Sequence, residues 1–333
     1  MIIIAGITLI AACGLNIQYG LAGINSFGFI IFQAAGAYSA AIVSLGPSSR
    51  YGGAQAYVGG AQLPFPLPLI VAGAVGGALA FFVGAVTLRK LRGDYEGIVM
   101  LILSLIATGV AQAVIGLVNG TTGLAFVPAP LQSALHLSPL GYQTAYMGWV
   151  LVVLAIVVLV LLRLSRAPFG RALRAVRDNE SGAASAGLQV SALRLQAFVI
   201  GGAVAGISGA LLVEYVGAWA PSSWTYPETF ALLAAIIIGG TGNWGGVSVG
   251  TILVPVLFFE LTRFLPQIGY PGLIDSLEWV VIGALILGFL WLRPRGLLPE
   301  RPQRLVPQQA GPMDSGSVSL PGPVVTARKP ADE

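Results

Sequence analysis

Trp149–Leu162 reads WVLVVLAIVVLVLL, fourteen apolar residues in an unbroken run that ends at Arg163. Such a run rules out the alternating apolar and polar side chains of a membrane-spanning β-strand, and it is too continuous for the amphipathic face of a water-soluble helix. Its surroundings agree. Between Glu96 and Arg163 the only ionisable side chain of the Asp, Glu, Lys, Arg or His type is His136. None occurs before Arg50, and none lies between Arg50 and Arg89. Over all 333 residues 56% are hydrophobic and 9% charged, against about 25% charged in soluble domains. A bilayer core about 30 Å thick takes about 20 apolar residues as a helix, so each charge-free interval has room for at least one crossing.

The chain is therefore expected to be an all-α, polytopic helical membrane protein with about eight or nine transmembrane segments, including broken or re-entrant helices. The apolar runs fall at 2–18, 27–46, 67–88, 97–118, 144–163, 195–214, 228–240, 247–265 and 276–292. The run at the N-terminus lacks a charged leading region and continues beyond a signal-peptide length, so it is expected as a retained span. Between Glu228 and Glu260 the glycine-rich centre IGGTGNWGG (238–246) cannot be regular helix. Gly239, Gly240, Gly242, Trp244 and Gly245 are expected to form a structural turn, in either a short hairpin or a re-entrant pair.

Fifteen of the 17 Lys and Arg residues cluster at 89–92, 163–194 and from 293 onward. Even numbers of crossings separate these clusters, so the positive-inside rule puts all three in the cytoplasm and Met1 outside. Arg50, Arg263 and His136 fall on the external side. Residues 1–298 are expected to be the transmembrane domain. Residues 299–333, rich in Pro, Gly, Ser and Gln, are expected to be a disordered cytoplasmic tail.

Three features invite a functional reading. The stretch 163–194 carries Arg171, Arg174 and Arg177 at i, i+3 and i+6 in a short helix over 169–177. Asn179 then suits the N-cap of a second short helix, Glu180 suits its positive end, and Gly187 suits its C′ position. Two capped helices make a firm protrusion that a partner's groove can hold; topology signals and contact with anionic lipid are the plainer use of such arginines. The second feature is the polar, glycine-broken region around Asn16, Gln18, Asn25, Ser26 and Gln33. It is either a candidate translocation pathway or a turn between spans. The third is a set of GxxxG pairs, Gly73/Gly77, Gly116/Gly120 and Gly202/Gly206, expected as helix-packing sites.

Other classes lack their chemistry. The two lysines, Lys90 and Lys329, follow arginine rather than glycine, so no GxxxxGK[ST] phosphate loop exists. No HExxH, CxxC or Ser/His/Asp constellation is present, and Cys13 stands alone. No catalytic, cofactor-binding or metal-binding residue is expected. Glu214, Glu260 and Glu278 fall near the outer ends of spans, which disfavours a proton relay.

In this order the segments resemble the permease subunits of branched-chain amino-acid ABC importers, the LivM branch of the LivH/LivM family. Gly14–Gly36 (GLNIQYGLAGINSFGFIIFQAAG) is similar to that family's opening pattern, and Gly170–Gly187 (GRALRAVRDNESGAASAG) to its cytoplasmic loop. Ile238–Gly246 (IGGTGNWGG) is similar to its glycine turn, and Arg293–Leu298 (RPRGLL) to its closing motif. The resemblance implies a subunit of an ATP-driven importer that pairs with a homologous second permease subunit, two cytoplasmic ATP-binding cassette subunits and an external solute-binding protein, within the bacterial cytoplasmic membrane. It implies that Arg171, Arg174, Asp178, Asn179, Glu180 and Gly187 belong to an ATPase-coupling loop, and that ATP is hydrolysed by partners. Family members commonly carry a further hydrophobic segment before the GLN motif, and its loss would leave Met1 outside. Relatives that move urea, short amides or nucleosides look similar, and a stand-alone carrier or channel is the rival class.

Overall fold

The structure, a computed structural model, describes residues 1–48, 55–90, 93–130, 138–258, 273–293 and 296–300. Arg50, His136, Glu260, Arg263 and the tail from 301 lie outside the described residues. Met1–Glu300 forms one compact unit.

Among the described residues the fold is helical, with two isolated bridges, Tyr57 to Val118 and Leu124 to Trp219, and no strand. In chain order the helices are α1 (Ile2–Leu15), α2 (Ile30–Ser44), α3 (Leu67–Lys90), α4 (Gly93–Ala113), α5 (Ile115–Val118), α6 (Pro139–Arg166), α7 (Pro168–Asp178), α8 (Glu180–Ser185), α9 (Val190–Val216), α10 (Tyr226–Gly239), α11 (Trp244–Thr251) and α12 (Leu273–Leu292). Each expected apolar run contains a helix, with the 97–118 run split at Val114 between α4 and α5; residues 259–265 of the 247–265 run lie outside the described residues. Among the described residues, five segments are long and apolar enough to cross a membrane unaided: Ile2–Leu21, Leu67–Leu88, Tyr95–Ala113, Leu140–Arg166 and Val190–Val216. Of the remaining apolar helices, α2 at 15 residues and α10 at 14 are about 21–23 Å long, less than a bilayer core.

The central element is α9. Its small residues let three neighbours approach to backbone contact, the closeness that apolar association in lipid requires. A methyl group added at Gly206 would run into the Ala72 carbonyl of α3, and one at Gly36 of α2 into Gly206 itself. Gly202 and Gly201 meet α3 and α1 in the same way, through Ala80 and the Gly14 carbonyl. Tyr146 of α6, fully buried, donates its hydroxyl to the Leu211 carbonyl of α9 at 2.6 Å. Gly73 and Gly77 face Ile207 and Ala203 of α9, so two of the three expected GxxxG pairs pack as such.

The third does not. Gly116 has nothing within 4 Å of an added methyl, and Gly120 lies in a 3-10 turn with φ +59°. The α4 helix stops at Ala113, and Asn119 in the left-handed region ends α5, so the two glycines no longer share a continuous helical face. The spacing was present without the helix that gives it meaning.

α9 runs antiparallel to α1 and α3 and parallel to α2. The C-terminal ends of α1 and α6, the N-terminal end of α9 and the turn between α10 and α11 gather at one end of the bundle, beside α7 and α8. The opposite end carries Met1, the bridge between Leu124 and Trp219, and the 3-10 turn Pro221–Ser223.

Candidate functional site

At the end that carries α7 and α8, five segments distant in sequence converge. The first is the end of α1, where Asn16–Leu21 widens into a π-helical turn. Asn16 is fully buried and its Oδ1 accepts from the Gly242 amide at 3.0 Å. Gln18, also fully buried, donates Nε2 to the Phe198 carbonyl of α9 at 2.8 Å. The last carbonyls of a helix lack intrahelical partners and carry partial negative charge. Arg177 of α7 meets that need by donating Nη1 to the Gly20 carbonyl. Its aliphatic stem lies over Gly23, whose φ of +66° and lack of a side chain make the approach feasible.

The third and fourth segments are the α10–α11 turn and the closing stretch Leu297–Glu300. Leu297 and Leu298 donate their amides to the Ile238 and Gly239 carbonyls at 2.8 and 2.9 Å, and Asn243 Nδ2 reaches the Leu298 and Pro299 carbonyls at 3.0 and 3.2 Å. Glu300 is thereby set between two arginines of α7. Its carboxylate lies 3.0 Å from Arg177 Nη2 and 3.1 Å from Arg174 Nε. Burial works against the Arg177 charge, yet the Glu300 and Asp178 carboxylates outweigh it and raise its pKa above the ordinary guanidinium value. The fifth segment is the end of α6: the Ser165 carbonyl accepts from Arg174 Nη2 at 2.7 Å, and the Ser165 hydroxyl accepts from Trp244 Nε1 at 3.2 Å. A cavity of about 490 Å³ opens beside this knot, bordered by Tyr19, Asn25, Arg177, Thr241 and Glu300.

The expected capped turn forms as the local sequence dictates. Asn179 Oδ1 accepts from the Gly182 amide at 2.9 Å, and Gly187 follows α8 with φ +84°. Asn179, Glu180 and Gly187 are exposed, as is Arg171. The arginine triplet is thus divided: Arg171 faces outward while Arg174 and Arg177 turn in. Asp178 sits 3.1 Å from Arg177 at the rim. Behind α8 a buried ion pair joins Arg194 of α9 to Glu96 of α4 at 2.6 Å, with Glu180 at 3.9 Å from Arg194.

Of the polar set in the broken region, Asn16 and Gln18 enter this knot and Asn25 borders its cavity. Ser26 is fully buried, and Gln33 lies on the far side, in another cavity. The turn residues Gly239, Gly240, Gly242, Trp244 and Gly245 stay together, with Gly245 donating to Asn243 Oδ1 at 3.0 Å. Sequence reasoning missed Glu300, Asn243 and the pairing of Glu96 with Arg194. The only available signal was the isolated acid that follows the RPRGLL motif. Among the described residues no cluster of His, Cys, Asp and Glu is arranged to hold a metal ion.

A family model described as branched-chain amino acid transport system / permease component matches residues 1–290. The high-affinity branched-chain amino acid transport system permease protein LivM of Salmonella typhimurium is 32% identical, covering 89% of this chain and 69% of its own length. LivM of Escherichia coli matches with the same figures. The autoinducer 2 import system permease protein LsrC of Yersinia enterocolitica is 26% identical over 64% of this chain and 58% of its own. No solved structure matches the chain.

Proposed function

The chain belongs to the family of permease components of branched-chain amino acid transport systems, and from that premise we propose that it forms one half of the pathway of an ATP-driven importer. A homologous second permease subunit supplies the other half, two cytoplasmic ATP-binding cassettes supply the energy, and an external solute-binding protein delivers a branched-chain amino acid. The chain itself hydrolyses no ATP. The α7–α8 end faces the cytoplasm and Met1 the outside, in keeping with the positive charge carried at 163–194.

One observation carries the coupling role. The exposed, capped Asn179–Gly187 turn is held firm at its tip, while the helix behind it is tied by Arg174 and Arg177 to Glu300, Gly20 and Ser165. A cassette that grips the turn therefore pulls on α1, α6 and the α10–α11 hairpin together. A loop that served only to set topology needs charge, not this linkage.

Reconstitution tests the reading. Proteoliposomes holding this chain, its second permease and the cassettes should accumulate leucine only with ATP and liganded binding protein. Leucine movement by this chain without cassettes, or detergent-extracted complexes that lack cassettes at stoichiometric yield, would favour a stand-alone carrier and overturn the proposal.

A further inference from the structure

A groove of about 1030 Å³ opens at the α7–α8 end, between α3, α6, α7 and the start of α9. Hydrocarbon makes most of its wall: Phe81 of α3, Leu164 of α6, Phe169 of α7, and Leu195, Val199 and Ile200 of α9. Its polar lining residues are Gln189 and Ser191 at the mouth and Gln196 further in. Among the described residues no charged side chain lines it.

The groove has the depth of one lipid leaflet. It follows α9 from Val190 to Ile200, about 15 Å at the helical rise, and a bilayer core of about 30 Å gives about 15 Å to each leaflet. Packing explains why it stops there. Just beyond Ile200, a methyl group added at Gly202 would meet Ala80 and the Gly76 carbonyl, so α3 and α9 close on each other. A partner's membrane span needs a surface that continues through both leaflets, and a water-soluble partner does not enter hydrocarbon. An acyl chain needs one leaflet only.

Charge then selects the lipid. Arg163 and Arg166 stand in the last turn of α6, beside Leu164 in the sequence. Both are exposed, and neither makes an ion pair among the described residues. At i and i+3 they share a helix face, where like charges repel. An anion set across them turns that repulsion into two attractive contacts, and guanidinium pairs with phosphate through charge-assisted hydrogen bonds. Arg174 and Arg177, by contrast, are already answered by Glu300.

We propose that this groove binds an anionic phospholipid, with an acyl chain laid along Leu195, Val199 and Phe81 and the headgroup phosphate held by Arg163 and Arg166. The side of the membrane rests on the import reading above, in which this leaflet is the cytoplasmic one. The acyl chain then lies between α7 and the crossing of α3 with α9. A zwitterionic headgroup offers the same phosphate but brings its own cation up to the arginines, so it binds more weakly.

The test uses the full chain in lipid nanodiscs and reads the lipid retained per protein by native mass spectrometry. From equimolar phosphatidylglycerol and phosphatidylcholine, the wild type should keep the anionic lipid at least fivefold more often. Arg163→Gln combined with Arg166→Gln should remove that preference. Val199→Trp, which fills the groove, should lower retention of both lipids at least threefold. No headgroup preference in the wild type, an unchanged preference in the double variant, or unchanged retention in Val199→Trp would overturn the site. A second measurement does not depend on these variants folding. p-Benzoylphenylalanine installed at Phe169, in the assembled complex in vesicles of the two lipids, should cross-link to phosphatidylglycerol at least threefold over phosphatidylcholine. Equal yields from the two lipids, or cross-links to a partner chain in place of lipid, would refute the assignment. Neither readout requires transport. A wild-type assembly that moves no leucine under ATP fails the import reading and leaves the lipid result standing, whereas normal uptake with no lipid preference fails only the site.

Discussion

Where α9 crosses α2 and α3 the contact is dry, with Gly206, Gly202 and Gly36 letting backbone meet backbone. Where the α10–α11 turn meets α1, α7 and Glu300, the contact is polar, built from Asn16, Arg174, Arg177 and Asn243. The two surfaces suit different jobs. A backbone-to-backbone contact has one geometry and no room for adjustment, because close-packed interiors change state rather than stretch. A set of charge-assisted hydrogen bonds can part and re-form around the same groups. The first surface makes a fixed frame. The second, at the end that we assign to cassette docking, is where motion of α7 can pass to the spans.

This contrast breaks most readily at Gly206. Gly206→Val forces a branched side chain onto the Ala72 carbonyl, with an expected cost of about 3 kcal/mol, the upper end of overpacking. Yield of monodisperse protein after detergent extraction should fall below a fifth of wild type. Wild-type yield and thermal stability in that variant would show that the α9 frame is not rigid. At the polar surface the expectation is reversed. Glu300→Arg sets three guanidinium groups together and should release α7 from the hairpin while the α9 frame stays intact. Extracted yield should remain near wild type, and leucine moved per ATP should drop at least tenfold. Loss of yield matching that of Gly206→Val would erase the distinction between the surfaces.

What the sequence made legible was local. Charge-free intervals marked the membrane class, because a charge in lipid is costly wherever it falls, and the apolar runs within them and their glycine and polar breaks marked the nine segments. The Asn179 cap and the left-handed Gly187 were readable for a similar reason, since both interactions close within a few residues. Gly116/Gly120 misled because a GxxxG spacing acts only along an unbroken helix, and Asn119 interrupts it. Glu300 was beyond reach. Its partners Arg174 and Arg177 precede it by more than 120 residues, and its setting among Pro and Gly residues has the composition of a tail. The use of Asn16 and Gln18 was hidden too: amides in a broken helix read equally as pathway or as packing, and their partners on Gly242 and Phe198 come from elsewhere in the chain.

The claim that force enters through the capped turn comes to rest on Glu180, which is exposed at the first position of α8 and lies at the edge of the Arg194 pair. Glu180→Arg reverses the charge at that surface and loses the 3.9 Å contact with Arg194, while the Gly206 crossing and the Glu300 knot stay in place. In the complete importer, ATP-driven leucine uptake should fall at least fivefold while the variant inserts into the membrane at the wild-type level. Uptake equal to wild type in that variant would contradict the account.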